Sequence, residues 1–177
     1  MIKKILIAIV ALIIAIVGFA STRPDSFSVT RLITVNAPAA APFALMNDFH
    51  KWQSWSPWAK MDPNAKNEFS GAASGVGAVF SWVGNSKVGE GKMTITESTP
   101  GSRIRLNLEF IKPFVSTAVT EFLFTPTGNQ TTITWTMTGK ANLISKIMGL
   151  FMDCDKMVGS QFEIGLAEIK TLAEAAQ

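Results

Sequence analysis

The chain has 177 residues, with 16 basic and 13 acidic side chains, one His and one Cys. Lys3 and Lys4 account for two of the three net positive charges, so the remainder is nearly neutral and carries no basic stripe for a nucleic acid. One Cys excludes an intramolecular disulfide and a cysteine-cluster zinc site, one His excludes a His-rich metal site, and no metal or cofactor is expected.

Ile5 to Ala20 runs sixteen residues without a charge, just after Lys3-Lys4. As a helix it spans about 24 Å, close to the hydrocarbon thickness of a bilayer, and lysine snorkelling and Met1-Ile2 extend it. The spacing predicts either an uncleaved signal anchor, with residues 2–20 in the membrane, or a signal peptide cut after Gly18-Phe19-Ala20. Both put the following domain on the non-cytoplasmic side, because the lysines stay inside. The expected division is 1–21 for this segment, 22–26 for a linker and 27–175 for one domain.

Phe27 to Val35 alternates as a first strand, with Phe27, Val29, Ile33 and Val35 on one face. Arg31 shares that face by parity. It either snorkels at an edge and meets a carboxylate, or stands inside a cavity as an anchor for a polar head. A buried charge requires a partner, and Glu97, Glu109 or Glu121 is expected nearby. Asn36-Ala37-Pro38 opens a short helix with Phe43, Met46 and Phe49 on its apolar face. Trp52, Trp55 and Trp58 then sit three apart around Pro57, as a structural wedge or as an aromatic lip for a ligand.

Lys66–Ser70 and Val76–Val83 read as a hairpin across a Gly71–Gly75 loop, with Phe80 and Trp82 on one face. Gly89-Glu90-Gly91 lacks phosphate-loop spacing and reads as a strand start or a bulge. Lys92–Glu97, Arg103–Phe110, Val115–Thr125 and Thr131–Thr138 follow as strands. Met93 and Ile95, then Ile104, Leu106, Leu108 and Phe110, then Ile133, Trp135 and Met137 point inward. Thr, Arg and Asn point outward, which means a sheet with one wet face.

Asn142 to Ala173 carries a helical stripe of Ile144, Ile147, Phe151, Cys154, Val158, Phe162, Leu166, Ile169 and Leu172, expected to be buried throughout. A short helix to about Phe151, a kink, and a long helix capped by Asp155 are predicted. Cys154 reads as a small core residue between two acids, which dull its nucleophilicity. His50 reads as a surface residue. Gly159 and Gly165 are predicted to allow close approach to the sheet, or room for a ligand.

The order strand, two short helices, six to seven strands and long terminal helix resembles an α+β helix-grip fold. Val35-Asn36-Ala37-Pro38, Trp52-Gln53-Ser54-Trp55-Ser56-Pro57-Trp58 and Gly84-Asn85 with Gly89 to Ile95 resemble the SRPBCC superfamily, in particular bacterial proteins named after polyketide cyclases and START-type lipid-transfer domains. The resemblance implies a curved antiparallel sheet around the last helix, with an apolar cavity between them. It implies a hydrophobic small molecule or lipid as partner. In a bacterium the domain would face the periplasm or cell exterior from the inner membrane, or be periplasmic or secreted after cleavage. Candidate cavity residues are Trp55, Trp58, Phe80, Trp82, Met93, Leu108, Phe110, Trp135, Met137, Phe151 and Phe162, with Arg31 and Glu121 as polar members. One alternative is a cyclase- or hydrolase-like enzyme, which requires two polar groups such as His50, Arg31 or a carboxylate to converge in the cavity. Another is a protein-interaction module with a collapsed core.

Overall fold

The computed structural model describes residues 1–176. Helix α1 spans Ile2–Ser21 and is exposed over almost its whole length. It is long and apolar enough to cross a membrane, and is compatible with an anchor or a signal sequence. The domain then runs β1 (Ser26–Val35), α2 (Ala40–Met46), a 3₁₀ helix (Phe49–Ser54) and α3 (Pro57–Met61). It continues with β2 (Lys66–Gly71), β3 (Ala78–Val83), β4 (Glu90–Thr99), β5 (Arg103–Lys112), β6 (Ser116–Thr127) and β7 (Gln130–Lys140). Helices α4 (Leu143–Met148) and α5 (Cys154–Ala175) close the chain.

The seven strands form one antiparallel sheet in the order β1-β7-β6-β5-β4-β3-β2. Consecutive strands pair as hairpins from β2 to β7, and β1 joins the far edge against β7. The predicted inward positions are the buried ones: Ile104, Leu106 and Leu108 on β5, and Ile133, Trp135 and Met137 on β7. Gly89-Glu90-Gly91 contains a bulge, since Glu90 pairs with Lys112 but Gly91 with Phe110. This is the helix-grip arrangement, with α5 laid across the concave face.

The second half of α5 is held by Phe162, Leu166, Ile169 and Ala173, all buried. Gly165 allows it to lie on the sheet: a Cβ there would stand 3.1 Å from Trp135 Cζ3 and 3.3 Å from Pro57 Cδ. The first half departs from the sequence expectation. Ile144, Phe151 and Cys154 are exposed rather than buried. Helix α4 packs on α1 instead of on the sheet, and residues 149–153 break the helix. The stripe therefore loses its phase against the sheet before α5 begins. Asp153, not Asp155, caps α5, accepting from Lys156 N at 2.9 Å.

Arg31 meets carboxylates, though not those expected. Its Nε donates to Glu163 Oε1 at 2.8 Å and its Nη2 to Asp155 Oδ2 at 2.9 Å, both on α5. Gly159 faces the guanidinium so closely that a Cβ there would displace it from its present position. Arg31 thus clamps the β1 edge to the first turns of α5. Glu97, Glu109 and Glu121 are engaged on the outer face of the sheet with Arg103, Arg105 and Lys92. The hydrogen bonds from Arg31 hold the Asp155 carboxyl below its ordinary value of 3.8, and the two carboxylates push the guanidinium upward.

Candidate functional site

Between the sheet and α5 lies a cavity of about 310 Å³, at the lower end of the size range of small-molecule sites. Its floor is the inward row already dictated by strand parity: Phe80 and Trp82 from β3, Met93 from β4, Leu108 and Phe110 from β5, Trp135 and Met137 from β7. Val158 and Phe162 of α5 form the roof. The 3₁₀ helix and α3 close one side with Trp52, Gln53, Ser56 and Trp58. Gly91 leaves space for the Trp82 indole, since a Cβ there would stand 2.5 Å from two of its ring carbons.

The wall is aromatic and ordered. Phe162 stacks on Trp135 with ring centroids 4.0 Å apart, and Trp58 meets both edge-on at 6.0 and 6.3 Å. Ser56 and Thr120 are the buried polar residues on it. Trp135 Nε1 is buried without a hydrogen-bond partner among the described residues, which costs about 1–3 kcal/mol in an apolar setting. The charged lining residues, Asp62, Lys87 and Lys112, belong to the α3–β2 and β3–β4 loops and the end of β5. They form the rim, where Lys112 Nζ pairs with Glu90 Oε2 at 2.6 Å.

Four candidates lie elsewhere. Trp55 is fully buried outside the cavity, packed on Trp52 at 4.6 Å with its Nε1 donating to Leu45 O at 3.2 Å. It is the wedge, while Trp52 and Trp58 reach the cavity. Phe151 falls in the break before α5 and is 73% exposed. Arg31 is spent on the α5 clamp. Glu121 points to the outer face, 3.9 Å from Arg103 Nη1. Its parity said so: Phe122 and Thr120 flank it, both buried and inward. The same parity finds Thr120, which the reading by apolar residues passed over. Trp52 was marked only by the three-residue spacing of Trp52, Trp55 and Trp58, and Ser56 and Val88 had no comparable signal, because loops carry no period.

His50 is exposed, bonded through Nδ1 to Asp48 Oδ1 at 3.0 Å and stacked on Phe69 at 4.3 Å. Neither it nor Arg31, Glu90, Glu109 or Glu121 lines the cavity. No group of three or more metal-ligating side chains is assembled among the described residues.

Residues 26–174 match the profile of the family described as polyketide cyclase / dehydrase and lipid transport. The chain belongs to this family. Its fold recurs in the protein CV1439 from Chromobacterium violaceum, with TM-score 0.60 and 15% identity over 86% of this chain and 99% of that one. The Aha1 dimer from Colwellia psychrerythraea aligns with TM-score 0.58 and 14% identity over 84% and 96% of the two chains. The di-domain ARO/CYC StfQ of the steffimycin biosynthetic pathway aligns with TM-score 0.61 and 12% identity, over 85% of this chain and 51% of its own. At these identities the likeness is one of fold alone. No curated protein sequence matches the chain. The polyketide cyclase / dehydrase and lipid transport fold thus supplies the grip, and this chain's residues supply an aromatic cavity with charge confined to its rim.

Proposed function

We propose that the domain binds an apolar or lipid-like small molecule in the cavity, held at a membrane by α1 with the domain on the non-cytoplasmic side. The observation that carries this reading is the cavity itself. It is open space of about 310 Å³ between sheet and α5, walled by aromatic and aliphatic side chains, with no acid or base on its inner surface. Such a wall gains from desolvating an apolar ligand, about 25 cal/mol per Å² of surface removed from water. A collapsed interaction module would have filled that space. A cyclase- or hydrolase-like reaction would need two polar groups converging inside, and none of His50, Arg31, Glu90, Glu109 and Glu121 lines the cavity. The description of the family as one of lipid transport is consistent with a carrier.

Native mass spectrometry of the full-length protein released from mild detergent tests this. The expected result is an added apolar mass that organic extraction recovers. A fluorescent fatty-acid analogue should compete with it and quench the Trp emission of Trp58, Trp82 and Trp135. Protein that carries no such mass and leaves Trp emission unchanged on titration overturns the reading.

A further inference from the structure

The exposed apolar side chains of the domain concentrate at one end of the sheet. Antiparallel pairing puts the start of β1, the end of β7, the β5–β6 turn and the β3–β4 loop at that end. Phe114 and Val115, in the β5–β6 turn, are exposed beside the rim residue Pro113. Phe151, Met152 and Met157 are exposed leading into Val158, which also lines the cavity. Large side chains of this kind, grouped around an opening, mark a contact surface.

Helix α1 leaves from the same end. Residues 2–15 are exposed, Ile16 and Val17 are half-buried, and Ala20 is fully buried where the last turn meets α4. The linker is fixed to α4 by the pair Asp25 Oδ1–Lys146 Nζ at 2.6 Å. A 20-residue helix is about 30 Å long, the thickness of the hydrocarbon core. If it spans, its last turn and the α4 surface beside it lie at the lipid interface. Lys112 on the rim is paired with Glu90, and Lys146 on α4 with Asp25.

We propose that Phe114 and Val115 on one side of the mouth, and Phe151, Met152 and Met157 on the other, dock into the bilayer interface. The mouth then opens onto lipid, and an apolar or amphipathic lipid passes into the cavity without crossing water. This rests on the tethered-carrier reading and adds the route by which the cavity fills. The contact is apolar, so it persists at high salt.

The test uses the full-length protein in phosphatidylcholine vesicles containing headgroup-region nitroxide lipid. Cys154, the single thiol and an exposed one, lies between Met152 and Met157 and takes a fluorophore directly. A second label goes on Val115→Cys in a Cys154→Ser background. A control goes on Asn129→Cys, in the turn at the opposite end of the sheet. Docking predicts lipid-nitroxide quenching at 154 and 115 but not at 129. It also predicts that combined Val115→Asp and Phe151→Asp slows uptake of a fluorescent fatty acid from vesicles about tenfold. Binding of the same fatty acid delivered in detergent should be unchanged. Labels at 154 and 115 as open to an aqueous quencher as the label at 129 overturn the proposal. So does shielding from water without lipid quenching, which marks a protein neighbour or a second copy. If the carrier reading itself fails, no variant retains fatty acid in detergent, whatever the label depths.

Discussion

Phe151 and Phe162 are the same side chain on the same predicted stripe, eleven residues apart. At about 100° per residue they project from one helix at nearly the same angle. Phe151 is 73% exposed and Phe162 is 1% exposed. The stripe recorded that both segments are amphipathic helix. It did not record what each faces. Around Phe162 the apolar face meets Trp135, Trp58 and the sheet. Around Phe151 the helix is broken, α4 has turned to α1, and the ring is left exposed. The lesson is that period identifies a face, while phase against a neighbour decides burial.

Phe162→Ala should break the comparison most severely. It removes a fully buried ring from the α5–sheet contact and should lose about 3–5 kcal/mol in urea unfolding. Leu108→Trp comes next and acts on the cavity instead of the fold. The larger ring fills the space below Phe162, so binding of a fluorescent fatty acid should weaken about tenfold, roughly 1.4 kcal/mol, with little change in urea midpoint.

Asp155→Asn sharpens the comparison at the boundary between the two segments, where Arg31 fastens α5 just beyond the break. It should lower the melting temperature by a few degrees and loosen the first turns of α5, read as faster amide exchange at residues 155–160. The pH dependence follows from the same pair. Arg31 holds the folded Asp155 carboxyl below 3.8, so its contribution is complete above about pH 4 and is lost as pH falls through the lowered native value. Glu174, held below 4.5 by Lys170 and the Asn36 N–H, adds to the same acid limb. Asp155→Asn should lower the neutral plateau of a stability-versus-pH curve and flatten its acid side, because the contribution it removes is the one that acid titrates away. Phe151→Ala should have the smallest effect, within about 0.5 kcal/mol in urea. A large loss there would mean that the break before α5 packs against the domain after all.

The sheet was legible because one buried face imposes a period of two, and β5 and β7 carry it cleanly, while β4 carries it between its two bulges. Met93, Leu108, Trp135 and Met137 reached the cavity wall on that rule alone. Glu121 failed on the same rule, since its flanking residues already marked it as outward. Arg31 is the instructive exception. Parity put it on the apolar side correctly, and a charge there had to find carboxylates. Which carboxylates depended on the docking of α5, whose Asp155 and Glu163 lie more than a hundred residues away in the sequence.

The sequence by itself determined the apolar N-terminal helix, the strand faces, the wet outer surface and the family, because each depends on local period or on residues in fixed order. Only the tertiary structure decided that α4 belongs with α1, that Trp55 is wedge while Trp52 and Trp58 are wall, and that the cavity stays open. Those outcomes depend on how surfaces distant in the chain pack together. Whether two packed surfaces close completely or leave about 310 Å³ is a matter of volumes and angles that no one-dimensional pattern contains.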